Sequence, residues 1–337
     1  MDEKTLETQL LKNTGTPMEN KSLAILLAVY EPREDWLIEL LDSLNAQTYP
    51  NLKLYVRDDR SPTYSLARLQ AILQEHIPAF PWELHQNSSN LGSNKTFEAL
   101  VRDASEEYVA FCDQDDIWLP DKIKNGIDLL ENSPLSPTLV CSELRIINGE
   151  GRVISPDMAH HRRRHVFQRG KGLAPTLFTR NFVVGCTVIL SRERAVSYLP
   201  FPDAVVHDHY IAFRAALEGA IDYLDEPQIL YRVYGGNQTG VMRGVDTKED
   251  YLRERIKGYA ARVETFAQYA PHLEELNAMR AFAKARQDHF NRKRGSARAL
   301  WSMRACNLPT TLFELVAPRL PTPLFRLAIR MIQARIL

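Results

Sequence analysis

Residues 22–32, SLAILLAVYEP, form an unbroken apolar run that stops at Glu31 and Pro32. A strand with one wet face alternates polar and apolar positions. A run without alternation must be covered on both faces, as an interior strand of a parallel sheet is. The residues that follow supply the cover. Trp36, Leu37, Leu40, Leu41 and Leu44 recur at helical spacing within 33–47. LKLYVRDD reads as a second strand, then come a helix around 63–76, a short strand WELHQN, a helix around 94–104 and a strand EYVAFC. This β-α-β-α alternation predicts an α/β fold with a right-handed, doubly wound sheet. TLVCSELRII and FVVGCTVILS read as further strands on either side of a basic loop, AHHRRRHVFQRGKG. After Gly240 the pattern becomes helical, roughly over 247–275, 276–293 and 311–336. The expected organisation is a flexible tail over 1–20, an α/β domain over 21–240 and a helical, basic extension over 241–337.

Composition narrows the function classes. Of 337 residues, 45% are hydrophobic and 25% charged, which excludes a wholly disordered chain, a collagen-like repeat and a polytopic membrane protein. Lys+Arg and Asp+Glu both number 42, so no global polycation is available to grip nucleic acid, and no nucleic-acid partner is expected. The charge is unevenly placed: residues 291–337 carry nine Lys/Arg against one acid, Glu314. Cys112, Cys141, Cys186 and Cys306 stand far apart with no CxxC pair, which predicts reduced thiols, mostly buried. The first residues contain no apolar signal core, and no apolar stretch is long enough to span a bilayer, so a cytoplasmic location is expected.

Four segments carry chemistry. In FCDQDDIWLPDK an apolar strand ends in Asp113, Asp115 and Asp116. Carboxyl ends of strands are where ligands gather in open parallel sheets. Three acids so close repel one another, and a hard divalent cation with oxygen ligands would hold them and recruit phosphate. One Asp would suffice to cap the segment that follows; three exceed that need. In LYVRDDRSPT, Asp58 and Asp59 follow the second strand, where turn chemistry competes with ligand binding. In QNSSNLGSNKTF, Asn90 and Gly92 make a tight loop, and Asn94 and Lys95 open a helix whose first amides favour an anion. Neither GxxxxGK[ST] nor GxGxxG occurs, so a P-loop NTPase and a dinucleotide-binding dehydrogenase lack support. Asp208, between His207 and His209, begins an amphipathic helix; a helix start keeps a carboxylate ionised as a base requires, or uses it as a cap. Zinc at this histidine pair is not favoured.

The order of these segments resembles the family 2 glycosyltransferases with a GT-A fold, in particular their bacterial rhamnosyltransferase-like branch. The matching residues are AVYEP, VRDDRSPT, NLGSNKTF, FCDQDDIW, NFVVGCTVILSRE, HDHYIAF and YLDEPQILYRVYGGNQTG, over roughly 22–240. Each is weak alone; seven in order are specific. The resemblance implies a doubly wound mixed sheet with a Rossmann-like nucleotide-binding half. It implies that Asp58, with Asp59 beside it, contacts the nucleotide base, and that Tyr30, Glu31, Asn90, Gly92, Asn94 and Lys95 surround the donor. Asp115 would hold a divalent cation on the diphosphate, with Asp113 as its companion and as a contact to ribose or sugar. Asp208 looks like the general base. Arg232 and Asn237 flank the place where the family usually has a His near the metal; here that residue is Tyr234. The QxxRW sequence of processive synthases is absent, so single-sugar addition is expected.

On that reading Mg²⁺ or Mn²⁺ offsets the charge of the leaving diphosphate, and a single displacement with one base inverts the anomeric centre. The implied donor is a dTDP- or UDP-linked nucleotide sugar, rhamnose being suggested only by the subfamily likeness. The implied acceptor is a glycan or lipid-linked hydroxyl in bacterial surface polysaccharide synthesis. A sugar-1-phosphate nucleotidyltransferase would need a Gly-rich basic loop where this chain has Tyr30-Glu31-Pro32. A catalytically inactive nucleotide-sugar-binding or scaffolding protein is the alternative from another class, and Tyr234 is its clue. The loop around Arg162, Arg163 and Arg164 reads as a solvated surface, or more sharply as a site for an acceptor phosphate. In PTPLFRLAIRMIQARIL, Leu324, Leu327, Ile329, Ile332 and Ile336 alternate with arginines, which suits a helix lying on an anionic membrane. The plainer expectation is that its apolar side packs onto the catalytic domain.

Overall fold

The computed structural model describes residues 21–162, 165–234, 242 and 244–333. Within them one sheet has nine strands: β1 (Leu23–Val29), β2 (Leu52–Asp58), β3 (Trp82–Gln86), β4 (Tyr108–Cys112), β5 (Ile117–Trp118), β6 (Pro137–Ile147), β7 (Val153–Ser155), β8 (Ile189–Ser191) and β9 (Ala220–Arg232). The described helices of nine residues or more are α1 (Glu34–Asn45), α2 (Leu66–His76), α3 (Ser93–Asp103), α4 (Lys122–Asn132), α5 (His207–Glu218), α6 (Gly258–Ala267), α7 (Glu275–Phe290), α8 (Leu308–Val316) and α9 (Thr322–Gln333).

The strand order is β3-β2-β1-β4-β8-β6-β9-β5, with β7 paired to β6. β1 lies parallel between β2 and β4, as its double apolar character requires. Leu23, Ile25 and Leu27 join one core with Leu37, Leu40 and Leu41 of α1 and Ile72 of α2. Ala24 and Leu26 join the other core with Phe97 and Leu100 of α3 and Ile211 and Phe213 of α5. The sheet is therefore wound on both faces. It is mixed rather than wholly parallel, because β8 runs antiparallel to β4 and β6, and β5 antiparallel to β9.

Three readings of local structure are corrected. FVVGCTVILS is a strand only over β8; Gly185–Thr187 is a 3₁₀ turn closed by Thr187, whose amide and hydroxyl both donate to the Val184 carbonyl (2.9 and 2.7 Å). Residues 220–232, to which the sequence pattern assigns no element, form β9, the longest strand described; it shifts register beside Pro227, which has no amide to donate to the ladder. The helical stretch 311–336 breaks at Ala317–Arg319, next to Pro318 and Pro321. The cysteine reading holds: Cys112, Cys141 and Cys186 are buried and Cys306 partly so, all with free thiols.

The helices after β9 do not form a detached unit. Phe266 of α6 stacks on Phe213 of α5 (centroids 4.1 Å apart) inside the main core. α7, α8 and α9 add two smaller clusters of their own.

Candidate active site

The carboxyl ends of β1, β2 and β4 open into a cleft of about 730 Å³, closed on its far side by Gly185 and the first turn of α5. Strand order places the switch point of the parallel half at β1 and β4, where such sheets bind ligands. Tyr30, Glu31, Asp59, Asn90, Gly92, Asp113, Asp115 and Asp208 all line it, although they come from five separate parts of the chain.

The loop after β4 is held from three directions. The Gln114 side chain accepts from the Tyr30 amide (2.8 Å) and donates to the Tyr30 carbonyl (3.0 Å), tying the loop to the end of β1. Asp116 is buried and turned inward, one carboxylate oxygen accepting from the Arg232 amide (3.0 Å). Arg232, only 1% exposed, donates to the Asp115 carbonyl (2.9 Å) and to the Asn148 and Gly149 carbonyls (3.3 Å each), and it pairs with Glu39. With Asp116 turned away, Asp113 and Asp115 are left to face the cleft. Burial, Asp115 and Asp208 push the Asp113 carboxyl up to about 7. Burial also raises Asp115, against a hydrogen bond from Tyr234 that lowers it. Tyr234, the residue in the family's usual His position, also packs against Trp36 of α1 (ring centroids 4.6 Å apart).

Opposite stands Asp208. Its carboxylate accepts from Asn181 (3.2 Å), from the Gly185 amide (3.2 Å) and from the His209 amide (2.5 Å). Burial still raises it to about 6, and those two amides hold it from rising further. The approach at Gly185 is close: a Cβ there would lie 3.3 Å from Asp208 Cβ and from His207 Nε2, so a side chain would push both by a few tenths of an ångström. His207 also lines the cleft, beside Asp208. It packs among Phe97, Phe111 and Phe201, and burial drives it down to about 3. His209, also near 3 through burial, has its Nε2 2.5 Å from the Leu177 carbonyl oxygen. This is the environment of packed core histidines, not of a zinc site.

Several sequence candidates, whether at the cleft wall or behind it, have their polar groups engaged within the protein. Asp58, 1% exposed, accepts from Ser61 (hydroxyl, 2.6 Å) and Gln86 (2.7 Å) and does not line the cavity. Asp59 braces the Asn90–Gly92 loop by accepting from Leu91 and Gly92 amides (2.7 and 2.8 Å). Glu31, with φ +43°, receives the Thr63 hydroxyl and the Thr63 and Tyr64 amides, and the Thr63 hydroxyl chiefly lowers its carboxyl. Asn94 donates to the Pro202 and Val205 carbonyls (2.9 and 2.7 Å) and accepts from the His207 amide (2.9 Å). Lys95 reaches Glu98 and the Phe201 carbonyl (3.1 and 3.0 Å), away from the cleft. Asn94 and Lys95 thus organise the approach to α5 instead of offering donors to a phosphate. Asn237, Arg163 and Arg164 lie outside the described residues. Asn181 and the role of Gly185 carry no signal in the sequence. Only the fold brings them to Asp208.

Residues 24–195, just over half of the chain, match the family model of glycosyl transferase family 2. The chain belongs to that family. The sequence is 27% identical over 235 residues to the dTDP-rhamnosyl transferase RfbG of Shigella flexneri, covering 65% of this chain and 75% of that protein. It is 23% identical over 199 residues to the UDP-Glc:alpha-D-GlcNAc-diphosphoundecaprenol beta-1,3-glucosyltransferase WfgD of Escherichia coli, covering 58% and 69%. In fold this glycosyltransferase is similar to S. aureus TarS 1–349 solved with UDP-GlcNAc (TM-score 0.57, 17% identity, 93% of this chain and 88% of that one). It is also similar to the mannosyltransferase PcManGT of Pyrobaculum calidifontis solved with GDP-Man and Mn²⁺ (TM-score 0.54, 18% identity, 98% and 92%). The GT-A type mixed sheet expected from the sequence is the fold found.

Proposed function

We propose that this glycosyltransferase moves a single sugar from a dTDP- or UDP-linked donor to a hydroxyl of a glycan or lipid-linked acceptor, with inversion, in surface polysaccharide synthesis. The observation that carries the reading is one cleft lined by Asp113 and Asp115 on one wall and by Asp208, at the head of α5, on the other. The names of the Shigella and Escherichia relatives support the donor class, and that of the second supports a lipid-linked acceptor.

The residues suit a divalent cation. Asp113 and Asp115 offer hard oxygen ligands, and the rise of Asp113 to about 7 marks a site short of positive charge. Asp115 and Asp113 would hold Mg²⁺ or Mn²⁺, which when bound supplies charge neutralisation for the departing diphosphate. The chain's own groups do the rest. The Asp59-braced loop at Asn90–Gly92 and the Tyr30–Glu31 corner shape the donor's berth. Asp208, aimed by Asn181 and the Gly185 amide, takes the proton from the acceptor hydroxyl as its oxygen attacks the anomeric carbon. With no protein nucleophile interposed, one displacement inverts that carbon. The basic composition after residue 291 and the proposed acceptor class support a peripheral location at the inner face of the cell membrane.

Donor hydrolysis across a panel of nucleotide sugars, with and without Mn²⁺, tests the reading. Asp115→Asn removes charge with little change of volume, and should abolish both cation-dependent hydrolysis and cation-dependent thermal stabilisation by nucleotide. Undiminished Mn²⁺-dependent turnover in that variant overturns the metal assignment. No turnover in the unaltered protein, with nucleotide binding intact, favours the inactive binding protein instead.

A further inference from the structure

The helices α8 and α9 leave a surface that the catalytic reading does not use. α8 turns Thr311 and Glu314 inward, while Leu308, Leu312 and Val316, at i, i+4 and i+8, stand on one face. That row is about 12 Å long at the helical rise. α9 buries Phe325 and Ile329 against the C-terminal core but leaves Leu324 and Leu327 outside, so the expected packing and the expected exposed face coexist on one helix. Trp301, in the segment before α8, is exposed as well, with the Arg304 guanidinium 4.8 Å from its ring. These six side chains are 43% to 55% exposed.

Within residues 291–333 the exposed charge is one-sided, although Asp246, Glu249 and Glu254 are exposed on the preceding segment that packs with α9. Glu314, the one acid after residue 290, is buried and spent on Arg286 and Tyr251. The described surface from 291 to 333 therefore shows no carboxylate, while Arg294, Arg298, Arg304, Arg319, Arg326 and Arg330 are exposed. Among the described residues none of these six forms an ion pair, whereas Lys293 pairs with Asp288.

We infer that the exposed row of α8, together with Leu324, Leu327 and Trp301, seats in the surface of an anionic lipid bilayer. This deepens the peripheral placement proposed above and rests on it. The chemistry favours lipid over other occupants. A second copy brought face to face would set arginines against arginines, and a nucleic acid would answer the charge but not a row of aliphatic side chains. An anionic bilayer answers both, with headgroup phosphates for the guanidinium groups and acyl chains for the leucines. An indole flanked by arginine suits the interface between the two.

The test is cosedimentation of the full chain with vesicles of phosphatidylcholine, with and without phosphatidylglycerol, alongside donor hydrolysis in solution. Binding should need the anionic lipid and weaken as salt rises. Arg319→Gln/Arg326→Gln/Arg330→Gln should lower partitioning on the order of 10²-fold, about fivefold per cation. Leu308→Ser/Leu312→Ser/Val316→Ser should lower it at least tenfold even at low salt, since aliphatic burial is lost. Both variants should keep solution hydrolysis. Undiminished vesicle binding by the serine variant overturns the inference. So does a wild-type dimer that ignores vesicles and becomes monomeric on the serine substitutions. The two readings fail separately: vesicle binding without hydrolysis strikes the proposed reaction alone, and hydrolysis without vesicle binding strikes this surface alone.

Discussion

Asp208 must be ionised to accept a proton, yet it lies at the wall of a cleft that penalises charge. The His209 and Gly185 amides offset that penalty only in part, leaving the carboxyl near 6. Asp208→Asn should therefore cut kcat by roughly 10²–10⁴-fold with donor affinity nearly unchanged. In the unaltered enzyme kcat/KM should fall as pH drops through about 6. A collapse of donor affinity in Asp208→Asn would move this residue to the donor side. Asp113 yields a second, thermodynamic prediction. Its ordinary value is 3.8 and its folded value about 7, so the folded chain binds that proton more tightly than the unfolded one. The stability it contributes is complete below 3.8 and is lost as pH rises towards 7. His207 and His209, near 3 when folded, act in the opposite sense: their contribution stands above 6.5 and is lost as pH falls towards 3. A cation answers the acids alone, since those carboxyls must be ionised to ligate. The rise in Tm produced by saturating Mn²⁺ should grow between about pH 5 and 7.5, as read by scanning calorimetry. A pH-independent rise would mean that the ion binds elsewhere.

At the scale of elements, the parts of the site closest in sequence were the most legible. The apolar runs of β1, β2 and β4 mark where strands end, and acids at strand ends stand out whatever lies around them. Helix α1 reads equally well, its buried face being the five residues picked by spacing. The rest depends on contacts between distant segments, which no local pattern carries. Asn94 looks like part of an anion-binding helix start, yet it pins the 202–207 segment to α3. Arg232 stands in sequence beside the place of the family's His near the metal, yet it clamps the Asp115 backbone to β9 and to the Asn148–Gly149 turn. Asn94→Ala removes three hydrogen bonds at the entry to α5, costing about 1–3 kcal/mol. Through misplacement of Asp208 it should lower kcat about tenfold or more with little change in donor KM. A donor KM effect of the same size would restore Asn94 to the donor's own contacts. Arg232→Met should cost about 1–3 kcal/mol, because it takes a donor from the part-buried Asp115, Asn148 and Gly149 carbonyls, while the half-exposed Glu39 turns to water. Urea unfolding measures it, and a loss below about 1 kcal/mol would show that the clamp is dispensable.

Over the whole molecule, the final hundred residues read from sequence as an extension, because helices replace the alternating pattern there. The structure binds them in more tightly. Phe266 belongs to the core that holds α5, and α7 is joined to α8 by a buried ion pair. Arg286 donates twice to Glu314, from Nε (3.0 Å) and Nη2 (2.6 Å), and once to the Arg255 carbonyl (3.0 Å); Tyr251 donates to the same carboxylate (2.8 Å). The side chains are 5% and 1% exposed. Nothing in the sequence around Glu314 marks it as other than a surface acid in a basic tail. Its burial leaves the outer face of that tail without a carboxylate, so one contact serves both the packing of α8 and the charge of the surface. Removing one partner strands the other's charge in the interior, which outweighs the modest worth of an intact pair. Glu314→Ala should thus destabilise the chain by about 3–5 kcal/mol in urea unfolding. A chain ending at Phe290 should fare no better, since Arg286 loses the same partner. The double variant Arg286→Met/Glu314→Leu fills similar volume without charge and should recover most of the loss. If the double variant proves as unstable as Glu314→Ala, then packing of α8, and not the unpaired charge, holds the C-terminal helices to the catalytic core.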